Sequence, residues 1–257
     1  MEFKRVYYLV TLYLKIKKGL KQKAAFIVLF VILLLNNLIL TGQKQKPKNE
    51  SWYDEKPIHF GFSLGFNSMD FRITPSQQHF KTDSLYPNVS VLNPGINIQI
   101  ITDYRPANHL DIRFLPGVSF GQRVIRFYKN KVLVNDKQRL ESSFLEFPLL
   151  LKYKGDRLNN VRPYVITGLN FRYDLAGKKE FDDAKPIYLR IKRPDLYYEM
   201  GAGLDFYLTY FKLSVEIKMS NGIGNVLVKE AAPGHPEFFN AIEKMKSQIW
   251  VLAFHFE

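Results

Sequence analysis

The chain has 257 residues and a formal net charge of +13 at pH 7, a charge that would suit a nucleic-acid-binding protein. Residues 1–48 hold ten Lys or Arg against one acid, whereas residues 49–257 hold 27 Lys or Arg against 23 Asp or Glu. The body is nearly balanced and shows no basic stripe, so we expect no nucleic-acid partner. The absence of cysteine excludes disulfides, thiolate metal sites, Cys nucleophiles and a lipid-modified Cys.

The N-terminal segment has the layout of a secretory signal peptide, with a basic region followed by an apolar run at 24–35. Two Asn residues follow the run, which is shorter than the ~20 residues that a spanning helix needs. We therefore predict a signal peptide over 1–42, with an uncleaved anchor as the alternative. The polar stretch 43–57 is predicted to be a periplasmic leader, and 58–257 a single domain.

Eight segments of the domain alternate apolar and polar side chains with the period of two that is typical of β-strands. Each is roughly nine to twelve residues long, the length that a tilted strand needs to cross a bilayer. In chain order, the predicted strands cover 58–67, 95–104, 110–120 (with a continuation to Phe127 left open), 143–153, 163–174, 197–208, 211–220 and 248–257.

The links between these strands alternate in length. The short links are 105–109, 154–162 and 209–210, and the long links are 68–94, 128–142, 175–195 and 221–247. Outer-membrane barrels show this alternation, with short periplasmic turns and long outer loops. Within the last long link, 236–245 has the spacing of a short amphipathic helix.

The alternation alone leaves two folds open. A soluble secreted barrel of the lipocalin kind would turn the apolar face inward around a ligand, whereas a membrane barrel would turn it toward lipid. Export, the alternating links and the aromatic residues near strand ends, including Trp250, Phe254 and Phe256, favour the membrane. We predict an all-β fold, an eight-stranded antiparallel up-and-down transmembrane β-barrel, in contact with outer-membrane lipid.

Charged side chains on the polar face of these strands are the candidate site. A basic residue facing mid-bilayer lipid costs ~2–4 kcal/mol, so we expect these side chains to point inward, pair with one another and fill the interior. Their predicted role is structural, and the alternative is a path for protons or solutes. The predicted network comprises Asp111, Arg113, Glu146, Lys152, Arg172, Asp174, Glu199, Asp205, Lys212, Glu216 and Lys218.

No catalytic arrangement emerges. The Gly201–Gly203 stretch begins like a dinucleotide-binding loop, but position 206 is Phe and no helix follows. The five His are scattered without metal-ligand spacing, so we expect no cofactor, no metal and no enzymatic activity. The candidate docking surfaces for a protein partner are the loop 177–195 and the apolar run 132–134.

Blocks of the sequence resemble a known family. HFGFSLGFNSMDF at 59–71, the stretch 144–175, the stretch 197–227 and the ending HFE are similar to the PorT family of Bacteroidetes outer-membrane proteins. The resemblance covers nearly all of 57–257. One departure is the end of the chain, because the outer-membrane assembly signal usually finishes on Phe, whereas Phe256 is here penultimate.

The resemblance implies a place in the cell outer membrane as a non-enzymatic component of the type IX secretion system. That system moves folded cargo with a C-terminal sorting domain across the outer membrane, and in gliding species it supports motility. The implied partners are other secretion-system proteins. The alternative function is a β-barrel that binds or transports a small molecule.

Overall fold

The computed structural model describes residues 48–76, 85–89, 93–129, 132–176, 189–228, 238 and 240–257. The predicted signal peptide and most of the predicted leader lie outside these residues. Ten strands follow a 3₁₀ helix at Ser51–Glu55. They are β1 (Ile58–Pro75), β2 (Leu85–Asn88), β3 (Pro94–Ala107), β4 (Leu110–Phe114), β5 (Gly117–Lys129), β6 (Val132–Lys154), β7 (Val161–Asp174), β8 (Pro194–Tyr207), β9 (Lys212–Gly222) and β10 (Ile242–Phe256).

The strands form one antiparallel sheet whose pairings return to their starting point. β1 pairs with β3 on one side and with β10 on the other, and the sheet continues from β10 through β9, β8 and β7 to β6. Both β4 and β5 pair with β3 and with β6, and β2 pairs with β5. Each predicted segment lies in one of these strands, to within one residue at the ends that it overruns, except the third, which covers β4 and the start of β5.

β4 and β5 lie on one line and are separated only at Leu115 and Pro116. Proline has no backbone N–H to give to a ladder, which explains the break. Neighbouring strands bridge it, because Leu115 N donates to Pro148 O at 3.1 Å and Ile100 N donates to Pro116 O at 2.9 Å. The predicted third strand is therefore two strands in one position of the sheet.

The prediction of strictly alternating link lengths is wrong at 128–142. β5 and β6 run through most of this range and are joined across residues 130–131. β1 likewise continues to Pro75 instead of ending near 67, and β10 starts at Ile242 instead of 248. The sheet is thus longer at this end than the apolar pattern indicates.

The predicted helix at 236–245 is wrong over its last four residues, which belong to β10. A β-bulge explains the misleading spacing: Thr74 of β1 pairs with Lys244 and Pro75 with Ile242, which leaves Glu243 without an opposite residue. Ile242 and Met245 are both buried despite their spacing of three, which imitates a helical face. Residues 236, 237 and 239 lie outside the described part of the chain. No helix among the described residues is long and apolar enough to cross a membrane.

Most of the sheet buries polar side chains and exposes apolar ones. Phe60, Phe66 and Ile100 are 69%, 61% and 64% exposed, whereas Glu199 and Arg172, which point to the other face, are fully buried. We call the outward apolar surface the belt. This is the reverse of a water-soluble protein, in which buried charges are rare and large exposed apolar surfaces mark interaction sites.

The two faces exchange polarity at the end of the sheet away from Glu257. On β1, Met69 and Phe71 are buried, while Asp70 and Arg72 point outward. The inward side chains there form an apolar cluster, which we call the cap: Phe71, Ile125, Phe127, Leu140, Leu189, Ile191, Val226, Leu227, Phe238, Ala241, Ile242 and Met245. This end therefore has the outward polarity of a protein in water.

Candidate functional site: the charged interior

The structure buries all eleven residues of the predicted network, each with at most 3% of its surface exposed. They lie on β4 and β6–β9 at alternate positions, so strand periodicity alone sends them to one face. An unpaired buried charge is costly, and the pairing of these side chains decides what the interior can do.

Glu199 is the centre of a first group. Its carboxylate lies 3.0 Å from Arg172 Nη2 and 3.1 Å from Lys218 Nζ. It also accepts hydrogen bonds from Ser220 Oγ at 2.5 Å and Asn170 Nδ2 at 2.8 Å. Two cations and two neutral donors thus converge on one carboxylate.

Glu146 extends this group, because its Oε1 lies 3.1 Å from Arg172 Nε. Gln99 Nε2 and Ser119 Oγ donate to Glu146 at 2.8 and 2.5 Å. Acids and bases therefore alternate from Glu146 through Arg172 and Glu199 to Lys218, and the local charges balance.

Arg113 is the centre of a second group. Its guanidinium binds both carboxylate oxygens of Asp103, at 2.7 and 2.5 Å, and Oε1 of Glu257 at 2.8 Å. Its Nη1 also lies 3.9 Å from Glu216, which accepts a hydrogen bond from Tyr164 at 2.9 Å. Arg113 is on β4 and Glu216 on β9, so side chains from well-separated strands come close across the interior.

Two further lysines are paired near the same end of the sheet. Lys152 Nζ lies 2.9 Å from both carboxylate oxygens of Asp205, which also accepts from Ser214 Oγ at 2.5 Å. Lys154 Nζ donates to Asp111 at 2.6 Å.

Arg123 lies between the charged interior and the cap. Its guanidinium donates hydrogen bonds to the hydroxyl of Ser142 and, at 3.0 Å, to Ser247 Oγ, and it lies 3.4 Å from the carboxylate of Asp174. Its guanidinium carbon is 4.3 Å from the centroid of the Phe71 ring, a cap residue. A stacked arginine thus joins the two regions.

The 3₁₀ helix covers the opposite end of the interior. The Tyr53 ring stacks on His59 with centroids 3.8 Å apart, and its hydroxyl lies 2.7 Å from both Glu257 Oε2 and Lys212 Nζ. Burial raises the pKa of the Tyr53 hydroxyl above its ordinary value, so Tyr53 stays neutral at physiological pH.

Asp54, the next residue, lies among three arginines: Arg162 at 2.9 Å, Arg105 at 3.4 Å and Arg157 at 3.5 Å. Burial would raise the pKa of this carboxyl, but the three guanidinium groups outweigh burial and hold the pKa below its ordinary value. The segment before β1 is therefore anchored by an ionised carboxylate.

Several members of the network were not in the predicted set. Asp103 and Glu257 lie on the same alternating face as the predicted residues and could have been included on that ground. Arg123 continues the alternating face of Asp111 and Arg113 within the stretch to Phe127 that was left open, so it too could have been included. Asp54 lies in a segment without periodicity, so the pattern held no signal for it. Within the described residues, no cluster of His, Asp or Glu is suited to holding a metal ion.

Of the five histidines, His79 and His235 lie outside the described residues. His255 is fully buried, with Nε2 3.4 Å from Glu216, and His59 stacks on Tyr53. His109 Nδ1 lies 3.0 Å from the carbonyl oxygen of Lys154. These three histidines therefore have different neighbours in the structure.

The outward apolar belt and the charged interior agree with the family that the sequence matches. A family model described as an outer membrane protein beta-barrel domain matches residues 42–228. Comparison with curated protein sequences finds no match.

Solved structures of several outer-membrane proteins are similar to the chain. OprG from Pseudomonas aeruginosa is 13% identical with a TM-score of 0.43. The match covers 83% of this chain and 97% of OprG. Neisserial surface protein A is 13% identical with a TM-score of 0.37. The match covers 78% of this chain and 98% of Neisserial surface protein A. Ail of Yersinia pestis, in complex with the heparin analogue sucrose octasulfate, is 13% identical with a TM-score of 0.36. The match covers 77% of this chain and 96% of Ail. The family match, which spans most of the sequence, shows that the chain belongs to the outer membrane protein beta-barrel domain family and resides in the outer membrane.

Proposed function

We propose that the chain is an eight-stranded transmembrane β-barrel of the PorT type, acting as a non-enzymatic component of type IX protein secretion. The observation that carries the proposal is the charged interior, which is filled by paired side chains and covered at both ends. Such an interior suits a barrel that acts through its surfaces and its partners.

The count of eight follows from treating β4 and β5 as one wall of the barrel and β2 as an addition outside the closed ring. The cycle β1, β3, β4 with β5, β6, β7, β8, β9 and β10 then has eight positions. An even number of strands places both ends of the barrel domain on the periplasmic side. An eight-stranded barrel has an interior just wide enough for side chains, as the 3.9 Å approach of Arg113 to Glu216 illustrates.

A closed interior argues against solute transport as the main activity. Tyr53 and the arginines around Asp54 cover the periplasmic end, and the cap covers the outer end. Planar-bilayer recordings of the refolded protein should show no steady conductance. Stable single-channel steps would favour the transport alternative instead.

The surface best suited to a secretion partner is the tip of the β5–β6 hairpin, beyond the belt. Val132, Leu133 and Val134 are 66%, 45% and 52% exposed there. From Val132 to Ser143, β6 pairs with β5 alone among the described strands, because its pairing with β7 begins at Phe144. Apolar side chains beside an open sheet edge can accept a segment of a partner protein.

The decisive experiment is deletion of the gene in its host. We expect cargo carrying the sorting domain to accumulate in the periplasm, and normal secretion in the deletion strain would refute the proposal. The deletion strain is then complemented with the triple variant Val132→Ser, Leu133→Ser and Val134→Ser.

The triple variant should reach the outer membrane at the wild-type level but restore little secretion. The matched control is Leu158→Ser, which removes a 72% exposed apolar side chain from a short link at the opposite end of the sheet. Full secretion by the triple variant would show that the hairpin tip does not bind a secretion partner. The deletion result would still test the secretion function by itself.

A further inference from the structure

Three basic side chains lie together on the outward face of β1 and β10, where the polarity of the sheet has changed. Arg72 of β1 is directly opposite Lys246 of β10, and Thr74 is opposite Lys244. All three basic residues are exposed, Lys244 with 61% of its side chain. We call Arg72, Lys244 and Lys246 the basic patch.

The basic patch lies directly above the edge of the belt. Along β10 from its C-terminal end toward its N-terminal end, Trp250 is the last outward aromatic residue, and Lys246 is two outward positions further along, after Gln248. Four residues of a strand tilted by about 40° rise roughly 10 Å along the membrane normal. The headgroup layer extends about 5–8 Å beyond the hydrocarbon, so flexible Lys and Arg side chains reach it easily.

Neither Arg72 nor Lys246 forms an ion pair with any residue that the structure describes. Within the described part of the chain, the ion pair of the patch joins Lys244 to Glu243 at 3.7 Å, and both side chains are exposed. The other acid nearby is Asp70, whose Oδ1 instead accepts a hydrogen bond from the backbone N–H of Phe71 at 2.7 Å. Among the described residues, the charge of Arg72 and Lys246 is thus not compensated.

Like charges directly opposite each other destabilise a β-sheet, since their Cβ atoms are only about 5 Å apart. An anion bound between Arg72 and Lys246 would turn this repulsion into attraction. A phosphate fits best, because a guanidinium binds two phosphate oxygens at once and an ammonium supplies a point charge beside it.

We propose that the basic patch binds phosphate groups of glycolipid headgroups in the outward leaflet of the membrane. The proposal rests on the transmembrane barrel proposed above, whose outward end carries the patch. It makes the lipid around this barrel selective: β1 and β10 hold phosphorylated headgroups against one side of the wall.

Trp250 supplies the probe, because it lies on the same outward face as the patch. The chain has two tryptophans, so a Trp52→Phe background leaves Trp250 alone. The mature protein is refolded into phosphatidylcholine nanodiscs and titrated with dansyl-labelled lipid A, which carries two phosphates. Energy transfer from Trp250 to the dansyl group then reports binding.

We expect Arg72→Gln with Lys246→Gln to weaken this binding by roughly tenfold or more. The control double variant, Lys48→Gln with Lys192→Gln, removes the same charge from exposed positions and should bind like the parent. Equal binding by parent and patch variant would overturn the proposal.

Two further measurements use only the parent protein. Dephosphorylated lipid A should transfer energy much more weakly to the parent, and transfer equal to that of lipid A would refute phosphate recognition. Free pyrophosphate in excess should not displace the labelled lipid, and complete displacement would refute a lipid source. Heat-dependent gel mobility of each variant checks the barrel itself, so failure of the barrel is distinguished from failure of the patch.

Discussion

Nζ of Lys212 on β9 lies 2.8 Å from Oε2 of Glu257, and Oε1 of the same carboxylate lies 2.8 Å from Arg113 on β4. One buried carboxylate thus neutralises two cations from separate strands. We predict that Glu257→Gln lowers the free energy of unfolding by about 3 kcal/mol, because it leaves buried positive charge uncompensated. Urea unfolding in lipid vesicles, followed by tryptophan fluorescence, measures the change.

Glu55→Gln is the matched control for this prediction. It removes the same charge from an exposed side chain of the 3₁₀ helix and should change stability by less than about 0.5 kcal/mol. If both variants unfolded at the same urea concentration, the Glu257 carboxylate would have no special role.

Glu199 allows a test of charge balance in the middle of the interior. Glu199→Gln should destabilise the fold by about 3 kcal/mol, since Arg172 and Lys218 both lose a partner at about 3 Å. Adding Lys218→Met should recover part of the loss, because it removes the cation left without a partner. The two effects should therefore be strongly non-additive in a double-mutant cycle. Additive losses would show that the pair is not coupled.

Period-two alternation predicts that these charged side chains point inward, but it does not predict which of them pair with one another. Arg113 approaches Glu216 across the interior, and such contacts depend on how the sheet closes and staggers, which periodicity does not encode. The eight predicted segments could be recognised from the sequence for the same reason as the eleven charges.

The cap was missed because the polarity of the faces reverses there. Phe71 and Arg72 continue the strand of Phe66, but the apolar side chain is now inside and the polar one outside, so the apolar-outward alternation stops there. The tertiary setting changes what each face contacts, from lipid to water, while the backbone continues unaltered. Asp54 was missed for a different reason: no regular element surrounds it to give its neighbours a period.

Asp54 predicts a pH dependence at the end of the sheet that carries the 3₁₀ helix. Its pKa is lower in the folded chain than in the unfolded chain, so the ionised carboxylate stabilises the fold above its ordinary pKa of about 4. This contribution disappears as the pH falls through the folded pKa. Asp54→Asn should therefore cost about 1–2 kcal/mol at pH 7, and the difference from wild type should shrink as the pH falls below about 4.

The groups that face Asp54 are Arg105, Arg157 and Arg162, with Tyr207 Oη 3.5 Å away. Asp156→Asn is the control, because Asp156 is an exposed acid on the link that also carries Arg157. A difference between Asp54→Asn and wild type that stayed constant from pH 7 to pH 3 would contradict an ionised Asp54.

The belt predicts a position-dependent cost of charge along one strand. Leu149 of β6 is 56% exposed in the middle of the belt, whereas Ser143 lies on the same outward face beyond it. Leu149→Arg should cost about 2–4 kcal/mol and reduce insertion, because arginine would face hydrocarbon. Ser143→Arg should insert normally. Equal insertion of the two variants into vesicles, measured by heat-dependent gel mobility, would show that the belt does not face lipid.

Close packing of the interior predicts a penalty for one added methyl group. A Cβ at Gly203 on β8 would lie 2.5 Å from the Tyr164 ring and 2.7 Å from the carbonyl oxygen of Val215. At Gly65 on β1, the nearest atom would be Val251 Cγ1 at 3.3 Å, the end of a side chain that can move slightly.

Gly203→Ala should therefore destabilise the fold by about 1–3 kcal/mol, as overpacking of a filled core does. Gly65→Ala should cost less than about 1 kcal/mol, although it adds the same methyl group to an inward position. Urea unfolding of both variants in the same vesicles compares them directly. If Gly203→Ala were the milder change, Tyr164 would have room to move, and the interior beside Glu216 would be less tightly filled than its hydrogen bond to the Tyr164 hydroxyl indicates.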